Sequence, residues 1–403
     1  LAPVQVSPPQ VVHVRMIREV HHWEHLRPQW DQLFDASPTA SPPLRFEWLR
    51  TWWDIYGSTY ADGGRGLRIF TVWRNRTLIG ALPLYEGIRH GSGCGVRRLG
   101  FISSSEAEFE ETCADYLDLL HLPDDAETCV RALAPALLNR RFTHWHELVL
   151  DRISAGSPLL ALRQHLERAV KTSVTDRGLC YLSDIRGGLD AYLSRLNAKV
   201  RKDTKRSLRL ASEAAAVFEI AQDACQIDDF FDELVMLHQR RWQAAGKPGC
   251  FSSPRFTEFH RRMLQAWVPK GIGVVARLSC HNVPVAVFQG VIARKKFDGY
   301  IYGVLRDEGS PLIGPGNAML VLLKSYLGDL GVETMDTLLS KPNSHKRRHS
   351  TGSNTLVRLT ATRPGARIFL ESCLQQSHRA IRATRRVLAR RQPSKPVAFD
   401  TAS

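Results

Sequence analysis

Apolar residues change their spacing several times along this chain, and each change marks an element. From Trp23 to Phe34 they recur at helical intervals, and Phe46-Glu47-Trp48-Leu49-Arg50-Thr51-Trp52-Trp53 reads as a short aromatic-faced helix after the turn at Pro42-Pro43. LRIFTVWRNRTLIGALPLY, beginning at Leu67, then switches to strand character. It reads as two strands joined at Arg74-Asn75-Arg76, where asparagine tolerates the turn geometry. The pattern next predicts a helix near 125–139, a strand over 146–150 (HELVL) and a helix near 158–171.

The second half repeats this order. Helices are predicted over 228–244 and 254–267. Three strands follow in GVVARLSCHNVPVAVFQGVIARKKFDGYIYGVL, with turns at His281-Asn282 and near Arg294-Lys295-Lys296, then an apolar helix and a further strand at Thr334–Leu339. Setting TVWRNRTLIGALPL over RLSCHNVPVAVFQG places Asn75 on Asn282, so the chain reads as an internal duplication of two α/β units. The expected organisation is a loose arm at 1–12, units at 13–180 and 181–365, a basic amphipathic helix at 366–392 and a tail at 393–403.

The most informative local stretch is SPLIGPGNAMLVLLKSYL, residues 310–327. Pro311, Gly314, Pro315 and Gly316 do not all fit inside a helix, so the helix is expected to start near Asn317, a residue suited to an N-cap. Its first amides and the positive end of its dipole then face an opening without bulky side chains, which is a ready site for an anion such as a diphosphate.

Composition narrows the setting. With 403 residues the chain exceeds the usual size of one core, in keeping with two units. The longest apolar run, Ala318–Leu323, is far too short to span a bilayer, and the first ten residues do not resemble a secretory signal. A soluble, cytoplasmic chain is expected. The eight cysteines form no C-x-x-C pair, which argues against a zinc ribbon or disulfide framework and for reduced thiols; no metal site is expected. His345 and His349 have no acidic or cysteine partner near them in sequence.

The formal charge of +15 is unevenly spread. KVRKDTKRSLR, residues 199–209, has six basic residues and one acid. A stripe of Leu193, Leu196, Val200, Thr204 and Leu208 leaves Arg201, Lys202, Lys205, Arg206 and Arg209 on the outer faces. Near the C-terminus Leu370, Leu374, Ile381 and Leu388 form a narrow stripe flanked by Arg379, Arg382, Arg386 and Arg390, a pattern suited to a membrane surface or a partner helix. Both basic segments suit polyanions without choosing among them.

The order of elements, with LHQRRWQAAGKPGCF (237–251), FTEFHRRML (256–264), FDGYIYGV (297–304) and GPGNAMLVLLKSYL (314–327), resembles the CelD-type acetyltransferases of cellulose biosynthesis, and so does the KRR that follows the next strand. These belong to the GNAT superfamily and look similar to the FemAB peptidoglycan aminoacyltransferases with their paired GNAT domains. FEWLRTWWDIYG (46–57) and CADYLDLL (113–120) extend the resemblance toward the N-terminus. It implies an α/β fold of two tandem GNAT-like units, each a mixed sheet flanked by helices. It also implies acetyl-CoA or another acyl-CoA as co-substrate, with pantetheine against Tyr300–Val304 (including Gly303 and Val304) and diphosphate at Gly314, Gly316 and Asn317. Two departures stand out. The usual diphosphate loop is matched only at its start, Arg306-Asp307-Glu308-Gly309, before Ser310-Pro311 follows. His345 also replaces the aromatic residue before the last lysine.

Acyl transfer needs a base for the acceptor's proton, an oxyanion donor and an acid beside the leaving thiolate. Asp336 is the expected base, and Tyr300 or Tyr302, sharing one strand face by period two, the expected acid. Lys346, Arg201, Arg206 and Trp242 are expected to contact the acceptor, a glycan or small molecule bearing an amine or hydroxyl. Polysaccharide-synthesis machinery at the inner membrane surface is the expected partner. The alternatives are a FemAB-like transferase using aminoacyl-tRNA and a non-catalytic accessory of polysaccharide synthesis.

Overall fold

The computed structural model describes residues 11–89, 92–306, 310–340, 345–374 and 376–377. The strands are β1 (Val12–Ile17), β2 (Leu67–Arg74), β3 (Thr77–Ile88), β4 (Arg97–Phe101), β5 (Leu120–His121), β6 (Glu147–Ser154) and β7 (Lys171–Asp184), then β8 (Val217–Ile220), β9 (Gly273–Cys280), β10 (Val283–Ala293), β11 (Lys296–Val304), β12 (Thr334–Ser340) and β13 (Gly352–Thr362). The first five helices are α1 (Val20–His25), α2 (Arg27–Ala36), α3 (Phe46–Tyr60), α4 (Ala126–Leu138) and α5 (Leu162–Leu166). The others are α6 (Gly188–Arg195), α7 (Ala198–Glu213), α8 (Ala224–Ala244), α9 (Pro254–Trp267) and α10 (Pro315–Asp329).

All strands join one mixed sheet in the order β1-β2-β3-β4-β6-β13-β7-β12-β11-β10-β9-β8, with β5 beside β3. The expected duplication is visible in the pairing. In the first repeat β2, β3 and β4 are antiparallel and β4 then runs parallel to β6; in the second β9, β10 and β11 are antiparallel and β11 runs parallel to β12. A parallel pair needs a crossover, and α4 and α10 supply it at matching places. The hairpin turns match too, since Asn75 and Asn282 both adopt positive φ (56° and 60°), which asparagine tolerates. The last strand, β13, inserts between β6 of the first repeat and β7, making the sheet continuous; β7 itself runs unbroken through residues 180 and 181. The fold is α/β, one mixed sheet built of two repeats of the same strand order flanked by helices.

One apolar cluster gathers Trp23, Trp30, Trp48, Trp52, Phe70 and Leu148, the other Phe230, Phe231, Leu234, Val275, Phe297 and Leu323. Helix α9 of the second repeat reaches into the first cluster, where Phe259 meets Trp48 edge-to-face at 4.8 Å and Trp267 stacks on it at 5.7 Å. Aromatic pairs of this kind add to area burial.

Several expectations need correction. The helix expected from Trp23 to Phe34 is two helices, and the one begun at Phe46 runs on to Tyr60. The helix expected at 158–171 ends at Leu166, and the chain turns into β7 from Lys171. The basic stripe is broken at Leu196-Asn197, because the Asn197 side chain caps α7 by accepting from the Val200 N–H (3.0 Å). Val12, placed in the arm, opens β1. Of the expected C-terminal helix, residues 366–374 are helical with Leu370 and Leu374 exposed; Ile381, Leu388 and the arginines beyond lie outside the described residues, as do 1–10 and 393–403. No described helix is long and apolar enough to cross a membrane.

Candidate acyl-donor site in the second repeat

The start of α10 is shaped by Gly314. This residue, not Asn317, holds the N-cap position, in the left-handed region at φ 67°, and Pro315 takes the first helical position, where its missing N–H costs nothing. Asn317 lies inside the first turn, and its side-chain amide donates to Ser207 Oγ of α7 (2.6 Å), tying the two helices together. A Cβ on Gly316 would sit 3.2 Å from Val304 Cγ2, so glycine lets the helix start approach β11.

In front of that turn lies a cavity of about 630 Å³. Ala286, Val287 and Phe288 of β10 and Gly299, Tyr302 and Val304 of β11 form its floor. Gly314–Asn317 and Arg306 stand at one side, Thr337, Lys346, Arg348 and His349 at another, and Asp203 of α7 faces Arg348 across an ion pair of 2.8 Å. Of the expected site residues, the cavity therefore brings together Tyr302, Val304, Gly314, Gly316, Asn317 and Lys346. Asp307, Glu308 and Gly309 of the expected loop lie outside the described residues.

Tyr300 and Tyr302 do not share a face. Gln289 pairs with Ile301 and Gly290 with Gly299, so Tyr300 is an extra residue in β11, a bulge that resets the alternation. Tyr302 lines the cavity, whereas Tyr300 turns toward Trp48 (5.3 Å between rings) and His260 (6.4 Å). The residue is half-buried, and its hydroxyl is fully buried. Burial, then the charge of Asp298, raises the Tyr300 pKa well above the usual phenol range. Gly303 faces away from the cavity against α8, where a Cβ would meet Leu237 Cβ at 2.7 Å.

Asp336 does not line the cavity. It is fully buried on β12, where β11 and β12 pair only over three residues before separating. One carboxylate oxygen accepts from the Leu338 N–H (2.7 Å) and the other from Tyr116 OH (2.6 Å) and Lys296 Nζ (3.3 Å). Lys296 also pairs with Asp298 at 2.8 Å and lies over the Tyr116 ring. Burial opposes the Lys296 charge, but Asp298 and Asp336 outweigh it and hold its pKa above the ordinary lysine value. Nearby, Asp115 accepts from the Leu339 N–H (2.6 Å) and pairs with Arg152 (2.5 Å). These acids and bases tie the loop at 111–118 of the first repeat to β12 of the second. The geometry gives Asp336 the job of closing the bulge at Leu338 inside β12.

Lys346 stands between this network and the cavity. Its ammonium donates to the Thr337 carbonyl, and burial lowers its pKa, with Asp115 and Asp336 acting in the opposite sense. Lys324, which sequence reasoning passed over, is more deeply placed. It is 2% exposed on α10, and Nζ lies 2.6 Å from Tyr192 OH, 2.9 Å from Ser183 Oγ and 3.4 Å from the His349 carbonyl. None of those partners is a carboxylate, so burial drives its pKa well below the usual value. The signal was visible: one lysine inside MLVLLKSYL.

Arg201 and Arg206 sit on α7 outside the cavity, Arg206 exposed. Trp242 lies on α8, also outside, donating from Nε1 to His238 Nε2 (2.9 Å). Among the described residues no three His, Cys, Asp or Glu side chains cluster as a metal would need.

No curated protein matches the chain. Among solved structures, FemX superposes with a TM-score of 0.52 at 10% identity, covering 82% of this chain and 95% of its own. A conserved protein of unknown function from Bacteroides thetaiotaomicron gives 0.51 at 10% identity, covering 87% and 100%. At such identities the likeness is one of fold. The family model described as "Acetyltransferase (GNAT) domain" matches residues 198–347, from the start of α7 to the turn carrying Lys346, so the segment that builds almost all of the cavity is similar to an acetyltransferase domain of the GNAT type.

Proposed function

We propose that the second repeat binds an acyl-CoA, acetyl-CoA in the simplest case, and transfers its acyl group to an amine or hydroxyl of a glycan or small-molecule acceptor. The observation that carries the reading is the bare start of α10 opening into a cavity inside the segment similar to a GNAT acetyltransferase domain. In it, the first-turn amides at Gly314–Asn317, with Arg306 beside them, take the diphosphate. Pantetheine runs over Val304 and Tyr302 toward Gly299. The bulge at Tyr300 disrupts the ladder there and so supplies backbone N–H groups for the developing oxyanion. Tyr302, partly exposed in the cavity, protonates the departing thiolate. Polysaccharide or cell-envelope biosynthesis is the setting in line with the CelD-type resemblance.

A titration with acetyl-CoA tests this. Because a ligand bound only by the folded state stabilises it, saturation at about a hundred times Kd should add about 2.7 kcal/mol and raise the melting point. No shift, together with no thiol release in the presence of amino sugars or envelope glycans, counts against the reading.

A second reading, a FemAB-like aminoacyl-tRNA-dependent transferase, is favoured by the exposed basic face of α7, where Lys199, Lys202, Lys205, Arg206 and Arg209 all meet solvent. It requires steeply salt-dependent tRNA binding that competes with nothing in the cavity of α10. A non-catalytic accessory role predicts neither acetyl-CoA stabilisation nor thiol release.

A further inference from the structure

Among the described residues lining the cavity Lys346 is the one lysine, and its amine donates to the Thr337 carbonyl within the field of the buried acids Asp115 and Asp336. Lys324 is buried behind the cavity on α10, and Lys199, Lys202 and Lys205 lie on the solvent face of α7. An acyl thioester seated on β11 therefore meets, among the described residues, the Lys346 amine. From this placement we infer that Lys346 is a site of self-acylation: the chain transfers an acyl group from bound acyl-CoA to its own Lys346 Nζ. The inference rests on the acyl-CoA reading above.

The step balances without a further reactant. The neutral amine attacks the thioester carbonyl, the N–C bond forms, the C–S bond breaks, and the proton lost by nitrogen ends on the thiolate, giving an amide and free CoA thiol. Only the unprotonated amine is a nucleophile, and loss of solvent around Lys346 favours that form, as in other desolvated lysines. Burial is the largest influence on the amine, while Asp115, Asp336, Cys180 and Cys113 restrain the effect. The product is a neutral side chain that has lost its charge and two of three N–H donors and adds bulk to the cavity wall. Each modified chain then has less room for an external acceptor, so self-acylation limits the transfer reaction whenever acceptor is scarce.

The test incubates the full chain with acetyl-CoA and follows intact mass and the modified peptide. One acetyl group is expected, on Lys346, added on the order of a hundredfold faster than on Lys199, Lys202 or Lys205, because Lys346 lines the donor's cavity and those lysines do not. The rate should rise with pH. Lys346→Arg keeps the charge and removes the nucleophile, and Gly316→Trp blocks the donor's seat; both should leave only the slow surface background, and a cooperative melting transition shows that each is folded. Calorimetry with CoA, which carries no acyl group, runs in parallel. CoA binding without acetyl-Lys346, or acetyl groups spread over α7 with Lys346 untouched, overturns self-acylation and leaves the acyl-CoA reading standing. Absence of both CoA binding and modification overturns the two together.

Discussion

The two repeats place a crossover helix at the same point of the same strand order, yet the two helix starts are chemically opposite. Before α10 the chain reads Ile313-Gly314-Pro315-Gly316; before α4 it reads Pro123-Asp124-Asp125-Ala126. Asp125, 3% exposed at the N-cap of α4, sends both oxygens to the Arg74 guanidinium, so an anion already built into the chain stands at that dipole. Helix α4 also sits hard on its sheet. A Cβ on Gly80 of β3 would come within 2.5 Å of Cys129 Sγ, leaving no space between helix and strands. At α10 the turn is glycine and proline, with no described acid at the N-cap, and the cavity opens beneath it. Duplication thus kept the skeleton twice and the vacancy once. The comparison teaches that the two repeats share a skeleton and differ at the start of the crossover helix, open onto a cavity in the second and filled by an ion pair in the first.

The largest effect that breaks this comparison comes from Gly316→Trp. The indole would collide with Val304 and fill the space before the first-turn amides, so stabilisation by acetyl-CoA, about 2.7 kcal/mol at a hundred times Kd, should vanish in thermal melts. Next, Asp125→Ala removes the partner of Arg74 at a site where Asp125 is buried and Arg74 partly exposed. Urea denaturation should show a loss of about 2 kcal/mol, discounted from the range for fully buried pairs, while acetyl-CoA affinity stays as it was.

Lys324 gives a smaller, pH-resolved effect. Its folded pKa lies below its unfolded value of about 10.4, so between the two the unfolded chain binds more protons and stability rises with pH toward the unfolded pKa. Replacing it with methionine should flatten that rise in melting point between neutral and alkaline pH. A wild-type slope that persists in Lys324→Met would show that another group causes it. Smallest of all, Arg206→Glu on the exposed face of α7 should change acetyl-CoA affinity by less than about 1 kcal/mol and only at low salt. A large effect on tRNA retention instead would favour the second reading.

Much of this contrast was legible in the sequence, for stated reasons. Asparagine at positive φ announces a hairpin, so Asn75 and Asn282 located both turns and, with them, the repeat. Glycine and proline before an apolar run announced α10, but not which residue caps it. Asn317 has the chemistry of a cap and was diverted to Ser207 on another helix, a contact with no local signature. The same limit explains the tyrosines. Period two assumes an unbroken ladder, and the bulge at Tyr300 depends on register with β10, which is a tertiary fact. Asp336 was correctly placed on a strand, yet its partners Tyr116 and Lys296 come from 220 and 40 residues away in sequence. Only folding reveals that its oxygens are already engaged.

Isothermal titration with CoA bears most directly on the central claim, that α10 alone offers its start to an anionic donor. The account requires one CoA per chain, lost in Gly316→Trp and undiminished in Asp125→Ala. Two equivalents per chain, or undiminished binding in Gly316→Trp, would contradict it.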